Sequence, residues 1–330
     1  MKNKFLVIDS RPYGLFSIFL HTVDNIKWAE DNGYTPFVRW APGRRDPNYG
    51  RVDKNNFLTD QLPGSFNNSP GMKHCQCLYW EEKGWNNSTN PWEYYFEPLN
   101  KHTLNEVLSS EHDVSDIFLC GDLDDNNENK FLIKSVQTYE PLLLWEIIGT
   151  KSEKAHRHSV SDVIKKHIKV KENIKSKITK FYDSNFIKNG KTVAVHVRGT
   201  DKKLEYPHKA LPLSDYVNSI ETVLTNEPDI KNLYIASDNN EAISVIVNRF
   251  KNDVEKIIVY PAVRMPKYYA KDPICLTSAT GAKHGEEVLI ESYIMSKASH
   301  LICTDSNVSA AAAYINPDMK LHFLNRLYGN

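Results

Sequence analysis

The sequence has no excess of charge of either sign, since its 330 residues include 41 Lys and Arg and 41 Asp and Glu. A protein that binds nucleic acid by neutralising phosphates usually carries surplus positive charge. A nucleic-acid-binding function is therefore disfavoured, although a local basic patch stays open. No apolar run approaches the roughly 20 residues that cross a bilayer, and residues 5–8 are too short an apolar stretch for a signal peptide. We expect a soluble, cytoplasmic protein.

Cysteine is scarce and scattered. The five residues of this type do not resemble the even set of a disulfide framework, which fits a reducing compartment. The cluster His74-Cys75-Gln76-Cys77 has the residue types of a zinc site, but it lacks the usual spacing within a Cys pair and a second ligand pair. A loop is the favoured interpretation, and we expect no metal centre.

Two common nucleotide-binding motifs are also absent. The chain has neither a Walker A loop nor a Gly-x-Gly-x-x-Gly sequence. A P-loop NTPase and an ordinary NAD enzyme therefore have no support.

The chain instead alternates strand-like and helix-like segments. In the C-terminal half, strands are predicted at 192–197, 232–237, 256–260, 300–303 and 320–324, with helices at 213–224, 240–250, 286–298 and 307–314. This alternation predicts an α/β fold with a doubly wound parallel sheet. In the N-terminal half, the first predicted helix follows a strand at 4–9 and ends near Gly33.

The length of the chain predicts two domains, at roughly 100–200 residues each. We place an N-terminal Rossmann-like domain at residues 1–185 and a C-terminal one at 186–330. Apolar positions at helical spacing predict one long connecting helix over residues 159–186.

Polar residues follow three of the predicted strands. Arg198 and Asp238 each come directly after a strand, and Ser306 opens the helix that follows another. Ligands of such sheets bind beyond the carboxyl ends of the strands, and a guanidinium and a helix N-terminus suit a pyrophosphate. The alternative is that Arg198 pairs with Asp201 or Asp238 in solvent and that Ser306 only caps its helix. Without the NTPase and NAD motifs, a nucleotide-sugar is the remaining common ligand, and Asp238 is included in the predicted nucleotide site.

Three segments together match a known pattern: HVRGTDK (196–202), GEEVLIESYIMSKASHLICTDSNVSAAAAYINP (285–317) and NPWEYYFEP (90–98). They resemble segments of the GDP-fucose-dependent fucosyltransferases. This superfamily includes nodulation-type chitin-oligosaccharide α1,6-fucosyltransferases, core α1,6-fucosyltransferases and protein O-fucosyltransferases. The resemblance implies a GT-B-like fold, in which two Rossmann-like domains with mainly parallel sheets face across a cleft. It also implies inverting transfer without a metal.

The resemblance assigns donor-binding roles in the C-terminal domain. Arg198 matches the arginine that holds the β-phosphate of the leaving diphosphate, and His196 matches a histidine near the guanine. Glu291 stands where the family usually has Asp, and it would accept hydrogen bonds from guanine N1 and N2; the alternative is a solvated carboxylate. Ser306 and Asn307 match two phosphate-binding serines, the second of which is replaced here.

The resemblance also bears on the catalytic base, because transfer to a sugar hydroxyl needs a group that takes the acceptor's proton. Lys202 matches a family lysine, and Glu205 matches the family glutamate if a one-residue gap is allowed. Asp201 and His208 compete with Glu205. The predicted catalytic residues are Arg198, Lys202 and Glu205.

In the N-terminal half, Gly14, Phe16 and Ser17 resemble a loop that approaches the sugar-phosphate from the opposite domain. Glycine there would permit a close backbone approach. Three aromatic residues are candidates for stacking on sugars, although such a run is more often core: Trp92, Tyr94 and Tyr95.

A competing motif, Asp122-Leu123-Asp124, follows a predicted strand at 117–120 and matches the metal-binding Asp-x-Asp of GT-A enzymes. The following Asn126-Asn127-Glu128-Asn129 favours an ordinary acidic turn instead.

The combined interpretation is an inverting fucosyltransferase that moves fucose from GDP-fucose to a glycan hydroxyl, in bacterial surface polysaccharide synthesis. The GDP-sugar is a co-substrate, and no cofactor is expected. Peripheral attachment to the inner membrane is left open. The alternatives are a transferase for another GDP-sugar, such as GDP-heptose or GDP-mannose, and a catalytically silent GDP- or glycan-binding protein.

Overall fold

A computed structural model describes residues 4–9, 14–40, 90–102, 113–116, 134–135, 144–199, 211–264 and 281–324. The chain divides into two compact units. The first comprises Met1–Pro141, Asp162–Lys171 and Thr280–Ala282, and the second Leu142–Ser161, Glu172–Ala279 and Lys283–Asn330. Both units are therefore discontinuous in sequence. The division into functional domains at residues 185 and 186 stays a prediction from the sequence.

The first unit contains a small parallel sheet. Its elements are β1 (Lys4–Asp9), α1 (Leu15–Asp31), β2 (Thr35–Arg39), α2 (Trp92–Tyr95), β3 (Asp113–Asp116) and β4 (Lys134–Ser135). The strand order is β2-β1-β3-β4. The predicted end of α1 is confirmed, because Gly33 has φ +72° and Tyr34 N–H donates to Ala29 O at 2.8 Å. This is the left-handed glycine termination that the sequence indicates.

The aromatic run that begins at Trp92 belongs to the core of the first unit. Trp92 and Tyr95 are buried, and the rings of Trp92 and Phe96 lie 4.3 Å apart. Asn90 accepts from the Trp40 N–H and donates to the Val38 carbonyl, both at 2.9 Å. The core interpretation is therefore confirmed for Trp92 and Tyr95, which do not stack on sugars.

The predicted single helix over residues 159–186 is wrong. The structure has α3 (Leu144–Ile147), α4 (Glu153–His167) and α5 (Glu172–Asn185) in this region. The chain leaves the helical path between α4 and α5 because its backbone pairs with the segment after α2: Glu97 N–H donates to Lys169 O at 2.7 Å, and Lys171 N–H donates to Tyr95 O at 2.9 Å. The spacing of apolar residues is a local signal, so it does not predict pairing with a segment that is distant in sequence.

The second unit contains a five-stranded parallel sheet. Its further elements are β5 (Lys191–Val197), α6 (Leu213–Asn226), β6 (Ile230–Ser237), α7 (Asn240–Phe250), β7 (Lys256–Val259), α8 (Gly281–Met295), β8 (His300–Cys303), α9 (Asn307–Ile315) and β9 (Lys320–Phe323). The order β7-β6-β5-β8-β9 confirms the predicted doubly wound sheet. The chain reverses its direction of travel across the sheet between β5 and β8.

Both faces of β5 are covered. Val193, Val195 and Val197 pack into one core with residues of α6 and α7, such as Ile220 and Ile246. The alternate positions point to the other face, where α9 contributes four consecutive buried alanines, 310–313. Within the described ranges, no helix combines the length and apolarity that a membrane span requires.

Asn232 provides a test of this packing. It is fully buried on β6, accepts from Ile187 N–H at 2.9 Å and donates to Ile187 O at 3.0 Å. Asn232→Ala removes both bonds and is expected to lower the free energy of unfolding by about 1–3 kcal/mol. Asn218→Ala, at an exposed position of α6, should stay within about 0.5 kcal/mol of wild type. Urea denaturation measures both, and equal losses would contradict the assigned role of the Asn232 amide.

Candidate functional site

The strand registers of the second unit bring together the three strand ends that the sequence singled out. Val197 pairs with Ser237 across β5 and β6, and Val195 pairs with Ile302 across β5 and β8. Continued past the strand ends, these registers place Arg198 between Asp238 and Asp305. This point is the topological switch between β5 and β8, where open α/β sheets bind ligands.

The backbone around Arg198 is fixed by the neighbouring strand end. Ser237 Oγ donates to Val197 O at 2.8 Å, on one side of Arg198. On the other side, Gly199 N–H donates to Asp238 Oδ1 at 2.9 Å. Asp238 therefore orients the backbone that carries Arg198. The partly exposed Arg198 side chain starts from a Cα whose position is set by both flanking residues.

The N-terminus of α9 lies beside this strand end. Ser306 has the extended backbone of an N-cap residue, yet its side chain makes no capping hydrogen bond. The hydroxyl is therefore not committed to the helix, and the alternative that Ser306 only caps α9 is not realised by its side chain. The first turn, which begins at the partly exposed Asn307, contains no acidic residue. First-turn N–H groups and the helix dipole together favour an anion at this end.

His196 connects β5 to the first turn of α9. It is buried, and its Nδ1 lies 2.7 Å from the Ser309 hydroxyl. Burial, together with the nearby positive charge of Arg198, lowers the pKa of His196 to about 3. The imidazole is therefore neutral at physiological pH. Its bond to Ser309 holds the strand of Arg198 against the helix of Ser306.

Glu291 lies on α8 and is buried, so the interpretation of a solvated carboxylate is wrong. Its Oε1 accepts a hydrogen bond from Arg264 Nη2. Burial raises the pKa of Glu291 to about 7, with smaller contributions in the same direction from Glu287 and Asp238, while Arg264 opposes the rise. Glu291 is thus a carboxylate whose ionisation depends on its one cationic neighbour among these groups.

Sequence reasoning missed Arg264. The residue follows β7 by five positions, in a stretch without apolar periodicity. A cation placed just beyond a predicted parallel strand was the available signal, the same one that identified Arg198.

The predicted loop residues of the first unit require one correction. Phe16 is buried in the first turn of α1, where its ring packs 5.6 Å from that of Phe19, so it does not lie in a ligand-binding loop. Ser17 is also helical and is half-buried. Gly14 precedes the helix and is exposed, with φ −61° and ψ 153°, a conformation that any residue adopts. The backbone conformation of Gly14 therefore does not require glycine, and it gives no support to a role in approaching the sugar-phosphate.

Some predicted residues lie outside the described part of the chain. These are Lys202 and Glu205 with their competitors Asp201 and His208, the strand at 117–120, the motif Asp122–Asp124, and the cluster His74–Cys77. Among the residues that are described, no group of three or more His, Cys, Asp or Glu side chains is placed to hold a metal ion.

Comparison with known proteins yields matches among solved structures. No protein-family model matches the chain, and no curated protein matches it significantly. NodZ α-1,6-fucosyltransferase soaked with GDP-fucose aligns over 100% of this chain and 98% of its own, with a TM-score of 0.51 and 13% identity. Fucosyltransferase NodZ from Bradyrhizobium aligns over 96% and 93%, with a TM-score of 0.50 and 15% identity.

At such low identity the two alignments establish the fold, and they extend over nearly the whole length of each partner. The predicted α/β fold with parallel sheets is therefore confirmed, and it is similar to the fold of the NodZ fucosyltransferases.

Proposed function

We propose that the protein is a glycosyltransferase that moves fucose from GDP-fucose to a hydroxyl group of a glycan. The observation that carries this proposal is the meeting of Arg198 with the N-terminus of α9 at the switch point of the second sheet. The similarity in fold to fucosyltransferases, one of which was soaked with GDP-fucose, supports GDP-fucose as the donor.

Arg198 and α9 suit a diphosphate leaving group. As the bond from sugar to phosphate breaks, negative charge grows on the β-phosphate oxygens. A positioned guanidinium and first-turn N–H groups stabilise that charge without reorganisation. They supply the positive charge that a divalent cation supplies in metal-dependent transferases. We therefore propose a metal-independent reaction.

Recognition of the base is proposed to involve Glu291 and His196. An ionised carboxylate accepts hydrogens from both N1 and N2 of guanine, and uracil and adenine present no such pair of donors on one edge. Arg264 donates one hydrogen bond to Oε1 of Glu291. Each carboxylate oxygen has two lone pairs, so both Oε1 and Oε2 can accept from the ligand. His196 is neutral, so it adds no charge beside the base.

For the chemical step, we propose direct displacement with inversion. A base on the acceptor side then takes the proton of the attacking hydroxyl as the oxocarbenium-like sugar is captured. Glu205 stays our candidate for this base, and Lys202 stays a second predicted catalytic residue. The acceptor in bacterial surface polysaccharide synthesis, the cytoplasmic location and the peripheral membrane association also stay predictions.

The donor assignment is tested by thermal shift with GDP, UDP and ADP at equal concentrations. GDP is expected to raise the melting temperature most, because a ligand stabilises the folded state in proportion to ln(1 + [ligand]/Kd), and the ligand with the lowest Kd therefore gives the largest shift. The same shift is expected in EDTA, since side chains and backbone hold the diphosphate.

Equal shifts with UDP would remove the guanine assignment, and loss of the GDP shift in EDTA would contradict metal independence. With GDP binding established, GDP-fucose, GDP-mannose and GDP-heptose are compared for GDP release with a panel of glycan acceptors. Binding without release from any donor would indicate a silent GDP-binding protein.

The role of Arg198 is tested by kinetics and stability together. Arg198→Ala is expected to lower kcat by roughly 10²–10³-fold, the usual cost of losing one preorganised donor to a developing oxyanion. Arg198→Lys should restore little, because a point charge does not reproduce two parallel hydrogen bonds. The ligand-free melting temperature should stay close to that of wild type.

A matched control is Arg249→Ala, which removes an exposed arginine of α7 paired with Glu221 and Asp253. It should leave kcat unchanged. Near-normal kcat in Arg198→Ala, or a lowered melting temperature with preserved activity per folded molecule, would contradict the catalytic role of Arg198.

A further inference from the structure

Arg264 is a buried cation that donates several hydrogen bonds beside Glu291. Its side chain is 4% exposed. Nε donates to Ser237 O at 2.8 Å, Nη1 donates to Ala262 O at 2.7 Å, and Nη2 donates both to Tyr260 O at 2.7 Å and to Glu291. Four of the five N–H groups of the guanidinium therefore have acceptors.

These acceptors come from three different parts of the second unit. Ser237 is the last residue of β6 and directly precedes Asp238, the residue that orients Gly199. Tyr260 and Ala262 follow β7, and Glu291 lies on α8. One guanidinium thus links the carboxyl ends of two strands to the helix of Glu291. It does so at the edge of the sheet that carries Arg198.

The electrostatic surroundings of Glu291 make this contact decisive for its charge. Among the residues that the structure describes, the ionisable groups that interact electrostatically with Glu291 are Arg264, Glu287, Asp238, Tyr234 and Tyr260. Glu287 and Asp238 both raise the pKa of Glu291. Burial raises the pKa of Tyr260 to about 12 and that of Tyr234 well above its usual value, so both phenols stay neutral. Arg264 is therefore the one cation in this set.

We propose that Arg264 is a positioning residue for the base of the donor: it holds the Glu291 side chain in one orientation and favours the ionised form of its carboxylate. This inference rests on the proposed function, in which Glu291 binds guanine. An ionised carboxylate is an acceptor only, whereas the protonated form presents one hydroxyl donor in place of an acceptor. Protonation of Glu291 therefore places a hydroxyl donor opposite the guanine edge, which itself presents two donors, N1–H and N2–H. The affinity for GDP should decrease as Glu291 becomes protonated.

The test is GDP titration by calorimetry from about pH 6 to pH 9 with wild type, Arg264→Met and Arg264→Lys. The titration of GDP itself is common to all three proteins and cancels in the ratio of variant Kd to wild-type Kd. With the cation removed, Glu291 protonates at a higher pH. Arg264→Met should therefore bind at least about tenfold more weakly near pH 7, and the ratio should shrink towards pH 9.

Arg264→Lys separates charge from orientation. Lysine keeps a cation beside Glu291 but does not reproduce the fork of four hydrogen bonds. The Kd ratio should stay above one and be nearly independent of pH. Arg249→Met, on the exposed face of α7, is the control and should give a ratio near one throughout. Ligand-free melting curves verify that each variant is folded.

The outcomes distinguish this inference from the proposed function. If wild type does not prefer GDP to UDP and ADP, the function fails. If it does, and Glu291→Gln loses the preference, a pH-independent ratio for Arg264→Met overturns the inference alone. If Arg264→Met does not fold, a double-mutant cycle of Arg264→Lys and Glu291→Gln, measured as GDP affinity, tests the inference instead. Coupled losses support the positioning role, and additive losses contradict it.

Discussion

The parallel register of β5 with its two neighbours is the constraint on which the candidate site depends. It sets the height at which β5, β6 and β8 end, and so brings Arg198 level with Asp238 and Asp305. The register is itself specified by the different side chains on the two buried faces of β5. A slip of one residue would replace Val193, Val195 and Val197, which pack against α6 and α7, with the smaller or polar residues of the other face. Packing of the core and placement of the site are therefore consequences of one pattern.

Burial explains why the charges at this edge have defined roles. An arginine on a solvated surface samples many rotamers, but the backbone on either side of Arg198 is held by Ser237 and Asp238. His196 is kept neutral by burial and is tied to Ser309. Glu291 accepts a hydrogen bond from Arg264. Without such a cation, a buried carboxyl would be protonated, because burial disfavours its charged form. The orientation or the charge of each of these groups is therefore set by the residues that pack against it.

The sequence predicted the strands of the second unit well, because apolar runs bounded by turns are local signals. It placed Arg198, Asp238 and Ser306 at one edge, since parallel strands share their carboxyl ends. It did not predict the break between α4 and α5, which depends on pairing of residues 169–171 with 95–97. The family resemblance assigned Phe16 to a loop, and no capping side chain at the start of α1 argued against that assignment. Sequence reasoning missed the Arg264–Glu291 pair, whose members lie on separate elements and meet only in the folded sheet.

Hydrogen–deuterium exchange with and without GDP tests whether the nucleotide binds at the carboxyl ends of β5, β6 and β8. The measurement does not require an acceptor. First-turn amides of a helix lack intrahelical acceptors and exchange rapidly unless a ligand accepts from them. The account predicts that GDP slows exchange at the N-terminus of α9 and at residues 198–199 and 237–239, and leaves unchanged the opposite edge of the sheet, where β5 and β9 begin. Saturating GDP that leaves all these amides unprotected would contradict it.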